Sequence, residues 1–179
     1  TVTSTASDIT KRTSIGAQRN PASEDAILTA AAEILSEGGL SAFSIEAVAR
    51  RAKAGKPTIY RWWPSKAALL LDVYHRQKGE TFYPDTGNTR GDLTAFLETL
   101  LGFWKKSGGE VFRSIIAEAQ SDPAALEALR DYAVTRCRAS GIILERGQAR
   151  GEIAEGLNTP LLMELFSSFC WQRLLTGRK

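Results

Sequence analysis

The stretch from Ser44 to Lys66 allows few folds. Ser44 can cap a helix, and Glu46 follows in the first turn, where a helix N-terminus favours an anion. Val48, Ala49 and Ala52 form a narrow apolar stripe at helical spacing, small enough for another helix to cross closely. Lys53-Ala54-Gly55 breaks the pattern. Gly55 can cap a second helix, and Pro57 falls in that helix's first turn, where a missing N–H costs nothing. Pro64 ends the second helix and Ser65 caps a third. The spacing predicts helix, tight turn, helix.

Wound at 3.6 residues per turn, Lys56 to Trp63 places Ile59 and Trp63 on one apolar face that should pack inward. The opposite face carries Pro57, Thr58 and Arg61, with Lys56 and Tyr60 on one flank and Trp62 on the other. A surface that reads a DNA groove needs a short residue for close approach, a guanidinium that can fork onto guanine, and flanking phosphate donors. All three are present. From Ala47 to Leu71 there is no acidic residue, against six basic ones: Arg50, Arg51, Lys53, Lys56, Arg61 and Lys66. A merely solvated basic face would not coincide with the turn, the caps and an exposed Tyr and Trp.

The run from Lys56 through Trp62-Trp63-Pro64-Ser65-Lys66 to Leu70 resembles the signature of the TetR family of bacterial transcriptional regulators. Ile27 to Leu40 and Phe43-Ser44-Ile45 resemble the first helix and the start of the second in the same module. The specific resemblance covers about Pro21 to Tyr74; beyond it, only length and helical character are similar. Two positions depart from the family pattern: Lys53 stands where Gly is usual in the turn, and Gly55 where a Ser or Thr cap is usual. A Lys at positive φ would be mildly strained, and one phosphate-binding hydroxyl is lost.

The resemblance implies an all-α protein with an N-terminal three-helix DNA-binding module followed by a helical ligand-binding and dimerisation domain. The expected divisions are an arm over 1–20, the module over 21–66, and the ligand and dimer domain over 67–179, joined through the helix at 65–78. The expected function is a ligand-responsive repressor that binds a palindromic operator on double-stranded DNA as a homodimer. Pro57, Thr58 and Arg61 are expected to face bases, and Ser44, Lys56, Tyr60, Trp62 and Lys66 to meet phosphates. A sequence-tolerant DNA-binding or helical interaction protein without an inducer is the alternative.

Charge is distributed accordingly. The 179-residue chain is 43% hydrophobic and 24% charged with a formal net charge of +3, which fits an ordinary globular protein. Residues 1–78 hold 11 of the 23 Lys and Arg but 7 of the 20 Asp and Glu, so the positive excess lies with the helix-turn-helix. Two cysteines, Cys137 and Cys170, are too few for a disulfide scaffold and lack metal-ligand spacing. The first twenty residues hold no apolar run, so no signal peptide is expected, and no apolar stretch approaches a membrane span. A cytoplasmic protein follows as the expectation. No phosphate loop, metal pair or nucleophile motif occurs, so neither enzymatic activity nor a cofactor is expected.

Along the chain, Lys11, Arg12 and Arg19 sit in a Ser/Thr-rich opening that reads as a solvated tail or a basic arm. Pro21 and Ser23 open a helix with Ile27, Ala31, Ile34 and Leu35 on one side, stopped by Gly38-Gly39. His75, the only histidine, reads as a surface residue. Gly79 to Gly91 reads as a linker, with Asp92 capping a helix that ends at Ser107-Gly108-Gly109. Asp122-Pro123 opens a long helix running to about Gly147. Phe96, Phe103, Trp104, Phe112, Tyr132, Phe166 and Phe169 supply candidates for an apolar pocket, whose ligand is expected to be small and apolar or aromatic.

Thr159-Pro160 opens a last helix that is apolar nearly all round, so one side must meet either the domain or a partner subunit. Leu161, Leu165, Ser168 and Trp171 are the candidate dimer residues. Family members usually continue with a further dimer helix where this chain ends at Lys179. A weaker dimer, a differently built one and a shortened sequence stay open as readings of that difference.

Overall fold

The computed structural model describes residues 20–79 and 83–178. The expected basic arm, with Lys11, Arg12 and Arg19, lies outside them. Among the described residues there are helices and connecting turns but no strand, and no helix is long and apolar enough to cross a membrane.

Helix α1 (Pro21–Ala42) starts where Asn20 accepts a hydrogen bond from the Ala22 N–H at 3.1 Å and Pro21 occupies the first turn. It breaks at Gly39, whose φ of 64° places it in the left-handed region that favours glycine. α2 (Ile45–Ala52) and α3 (Lys56–Trp62) follow, and α4 (Lys66–Lys78) begins at the Ser65 cap, whose hydroxyl accepts from the Ala68 N–H at 3.0 Å. α5 (Thr89–Phe103) leads through a wide turn at Trp104–Gly108 into α6 (Gly109–Glu118). α7 (Pro123–Ser140), α8 (Ile142–Ala149) and α9 (Thr159–Thr176) complete the described chain.

The core is continuous from the N-terminal helices into the C-terminal ones, and α4 is the reason. Ala67, Ala68, Leu69, Leu70, Leu71, Val73 and Tyr74 are all buried, so α4 is covered on most of its circumference. α1 packs on one side of it, and α6 and α7 on the others. α9 lies across α7 and touches α6 and α8, while α5 packs on α8.

Two sequence expectations change. α5 starts at Thr89, capped by Asn88, whose side chain accepts from the Gly91 N–H at 2.8 Å. Asp92 is therefore not the cap. It is fully buried one turn inside the helix, accepting from the Thr86 hydroxyl at 2.8 Å and from Arg150 at 3.1 Å. The expected long helix from Asp122 is also two helices. The Ser140 hydroxyl donates to the Arg136 carbonyl at 2.8 Å, and Gly141 turns the corner between α7 and α8. A side-chain hydroxyl that competes for the helix's own carbonyls favours such a bend.

Arg150 holds the start of α5 to the end of α8. Its guanidinium reaches Glu152 at 2.8 Å, Asp92 at 3.1 Å and Asp85 at 3.4 Å. A buried carboxylate needs this kind of company. The Thr86 backbone N–H, and then Arg150, hold the Asp92 carboxyl below its ordinary range; the Thr89 backbone N–H does the same for Glu152. Lowered carboxyls contribute stability that is complete above the ordinary carboxylate range and is lost as pH falls through the folded values. Asp92→Asn should therefore lower the melting temperature at neutral pH and flatten its fall between about pH 5 and pH 3. Parallel melting-temperature curves for the two proteins across that range would remove Asp92 from the account.

Candidate functional site

The N-terminal helices present a surface whose parts were placed by local chemistry. Ser44 accepts from the Ala47 N–H at 3.1 Å, fixing the start of α2 and leaving its own O–H free to donate. After α2, Lys53 turns the chain with φ 53° and ψ 37°, the only positive φ at a non-glycine among the described residues. The Ala54 N–H returns to the Ala49 carbonyl at 3.0 Å, closing a Schellman-type turn. α3 then starts at Gly55 without a side-chain cap.

Ile59 of α3 is fully buried, and Trp63 follows it inward, its indole N–H donating to Asp72 of α4 at 2.6 Å. Lys56, Pro57, Tyr60 and Arg61 are exposed, and Thr58 is half-buried between them. Lys56 is tethered to Glu46 at 3.1 Å, so the two helices share an ion pair at the edge of this face. Arg51 turns away, pairing with Glu37 of α1 at 2.7 Å.

Trp62 differs from its expected place. It is 8% exposed, packed edge-on to Trp63 with 5.8 Å between ring centres, and Arg61 lies over its ring. With only seven residues, α3 must use both tryptophans to close its inner side. Trp62 therefore leaves the phosphate-facing flank and becomes a base for Arg61. Lys66, in the first turn of α4, stands 3.8 Å from Glu118 of α6, which also accepts from the Ala67 N–H at 3.1 Å.

A second feature lies among α4, α5, α7 and α9: a cavity of about 170 Å³. Phe96, Trp104, Phe112, Tyr132 and Phe166, five of the expected pocket residues, line it. Phe103 does not; it packs edge-on to Tyr74 behind the wall, 5.1 Å between centres. Phe169 and Trp171 exchange their expected places. Trp171 faces inward and meets Phe112 at 5.2 Å, whereas Phe169 is 52% exposed beneath Arg173. Two residues apart on a helix means nearly opposite faces, and contact with α6 decides which face is inner.

The cavity is more polar than the aromatic residues imply. Lys78, Arg136, Glu164, Ser167 and the tyrosines Tyr74 and Tyr132 border it. Tyr74 accepts from the Trp104 indole N–H at 2.9 Å, and burial pushes its phenol up to about 12. Cys137 and Cys170 also line it, and burial pushes the Cys170 thiol up to about 11, far from a reactive thiolate. His75 is not the surface residue that was expected: it is half-buried beside α7, and its Nδ1 has no hydrogen-bond partner among the described residues. Position on a short stripe could have flagged Tyr74, but nothing local in the sequence marks Lys78 or Arg136, which are brought together only by packing.

α9 keeps a free apolar side. Leu161, Leu165 and Phe169, at four-residue spacing, are each about half exposed or more, with Ser168 beside them. Val134 of α7 is exposed to 61%.

Comparisons with known proteins identify the family. Residues 27–73 match the family described as bacterial regulatory proteins of the tetR family, and residues 83–179 match the tetracyclin repressor-like C-terminal domain. An uncharacterized HTH-type transcriptional regulator of Bacillus subtilis, YdeS, is 32% identical over 90% of this chain and 83% of its own. The DNA-binding transcriptional repressor TetR of Mycobacteroides abscessus is 28% identical over 85% of this chain and 82% of its own. Among solved structures, the TetR family transcription regulator SCO0332 superposes with a TM-score of 0.77 at 30% identity, covering 88% of both chains.

Lys53 gives a direct test of the turn. The left-handed conformation costs an L-residue ~1–2 kcal/mol, partly offset because glycine has more backbone freedom to lose on folding. Lys53→Gly should stabilise the protein by about 0.5–1 kcal/mol, raising the melting temperature by about 1–4 °C. An unchanged or lower melting temperature would mean that the lysine side chain stabilises the turn by other means.

Proposed function

Because the chain belongs to the TetR family of bacterial regulatory proteins, we propose that it is a cytoplasmic, ligand-responsive transcriptional repressor that binds a palindromic operator as a homodimer. In this reading residues 21–66 are the DNA module and 67–179 the ligand and dimer domain, and no enzymatic step is involved. The observation that carries it is the outer face of α3, where Pro57 and Arg61 are exposed and Thr58 is half-buried, in a stretch without acids. A short helix with a small first turn can enter the major groove, where a guanidinium forks onto guanine O6 and N7.

Ser44, Lys56, Tyr60 and Lys66 would meet phosphates, which set register without reading sequence. The Lys56–Glu46 pair would open as Lys56 turns to phosphate. A small ligand with an aromatic or apolar body fits the walls of the inner cavity. Its effect on DNA would run through α4, which borders the cavity at Tyr74 and Lys78 and meets α3 through Asp72 and Trp63. A ligand that prefers one placement of α4 shifts the population away from the DNA-binding one.

The dimer would use the outer side of α9, with Leu161, Leu165, Ser168 and Phe169. Such an apolar stripe is costly to leave in water and is a reason for two copies to pair.

Selection of bound duplexes from a random pool tests the whole reading. A two-fold symmetric motif is expected, whereas an unselective pool would favour a protein that only holds phosphate. Arg61→Ala should cost ~1–3 kcal/mol on the selected site and relax preference at one position per half-site. Retained affinity and preference would reject this face as the reader. Leu165→Arg should sediment as a monomer and lose cooperative operator binding; a variant that stays dimeric would place the interface elsewhere.

A further inference from the structure

The turn between α2 and α3 holds a residue that its backbone does not favour. Lys53 ends α2 in the left-handed region, at φ 53° and ψ 37°, where a glycine would sit without strain. The hydrogen bonds that close the turn run from the Lys53 N–H to the Arg50 carbonyl at 3.4 Å and from the Ala54 N–H to the Ala49 carbonyl at 3.0 Å. Both belong to the backbone and would form equally with glycine in place of lysine. The lysine side chain takes no part in them. It is exposed and, among the described residues, makes neither a hydrogen bond nor an ion pair. Strain of this kind gathers where a side chain serves function.

Neighbouring cations are already engaged. Arg51 pairs with Glu37 at 2.7 Å and with Glu33 at 3.8 Å, both on α1, and Lys56 pairs with Glu46 at 3.1 Å. The start of α3 is also poor in donors. Pro57 has no N–H, the Thr58 and Ile59 N–H groups both go to the Gly55 carbonyl at 3.0 and 3.2 Å, and Gly55 brings no cap hydroxyl. A helix that enters a groove needs donors along this edge, because phosphates flank the groove. Lys53, two residues ahead of Gly55, supplies one.

We propose that Lys53 is a phosphate contact of the DNA-binding module, holding the strand beside the start of α3 and so helping to set the register in which Pro57, Thr58 and Arg61 meet the bases. This deepens the DNA-binding reading above and rests on it. Glycine would relax the backbone and leave the turn without a charged donor; lysine keeps the donor and carries the strain. Because phosphate is recognised by charge, the contact adds affinity for any duplex and little preference among sequences.

The test measures affinity of the full chain over a range of salt, for a duplex recovered from the selection and for a scrambled duplex of the same length. Each neutralised phosphate adds about 0.9 to the slope of log affinity against log salt, so loss of Lys53 from both subunits of a dimer removes about 1.8. In Lys53→Gly the ratio of wild-type to variant affinity should therefore fall about tenfold between about 50 and 200 mM salt, on both duplexes. Lys53→Arg should keep the wild-type slope. Lys53→Asn, which tolerates the left-handed backbone without a charge, should match Lys53→Gly. Lys105→Gln removes a charge from the exposed part of the turn at Trp104–Gly108 and should leave the slope unchanged. Melting curves check that each variant is folded at the assay temperature. An unchanged slope in Lys53→Gly, while the wild type binds its selected motif, overturns the inference and leaves the DNA-binding reading intact. A slope that falls as far in Lys105→Gln, or that is lost in Lys53→Arg, also overturns it. A slope that falls on both duplexes while the selection yields no symmetric motif keeps the phosphate contact and rejects the operator. A wild type that binds neither duplex overturns both.

Discussion

The hydrogen bond from the Trp63 indole to Asp72, 2.6 Å long, joins the end of α3 to the middle of α4 and makes the orientation of α3 a property of α4. A seven-residue helix cannot hold its own position, because its nucleation cost exceeds what so few hydrogen bonds return. Ile59, Trp62 and Trp63 supply the packing that does. Since α4 is buried against α1, α6 and α7, any movement of these neighbours that shifts α4 also re-aims Pro57, Thr58 and Arg61. Glu118 adds a second link at the start of α4, through the Ala67 N–H and Lys66.

The C-terminal half distributes its aromatic residues around this same helix. Tyr74 is stacked on Phe112 at 4.9 Å, edge-on to Phe103 and to Tyr132, and hydrogen-bonded to Trp104. One α4 side chain thereby touches α5, α6, α7 and the wide turn at Trp104–Gly108. Large rings packed at differing angles leave gaps that small residues cannot fill, and the cavity is such a gap. The cavity and the helix that meets α3 thus share one residue, Tyr74.

Several features were legible because their causes are local. Ser44, Ser65 and Asp122 act as helix caps, since capping depends on a side chain and backbone N–H groups two or three residues away. The left-handed Lys53 followed from the turn it had to make. Trp62 was misjudged because helical spacing alone puts it on a flank, while a helix this short recruits flanking residues into its inner side. Asp92 was taken for a cap because its type suits one; the Thr86 backbone and Arg150, 58 positions later, give it a buried role instead.

By itself, then, the sequence determined the helices through α4, the tight turn between two of them, the basic face of α3 and the family to which these residues point. Each depends on contacts within a few residues or on a strict period. Tertiary structure alone decided which side of α9 faces inward, exchanging Phe169 and Trp171, and which charges meet at the cavity. An evenly apolar helix carries no preferred face until a neighbour covers one. Lys78 and Arg136 come together only because α4 and α7 pack side by side, and that contact joins residues too far apart in the chain for any periodic pattern to register.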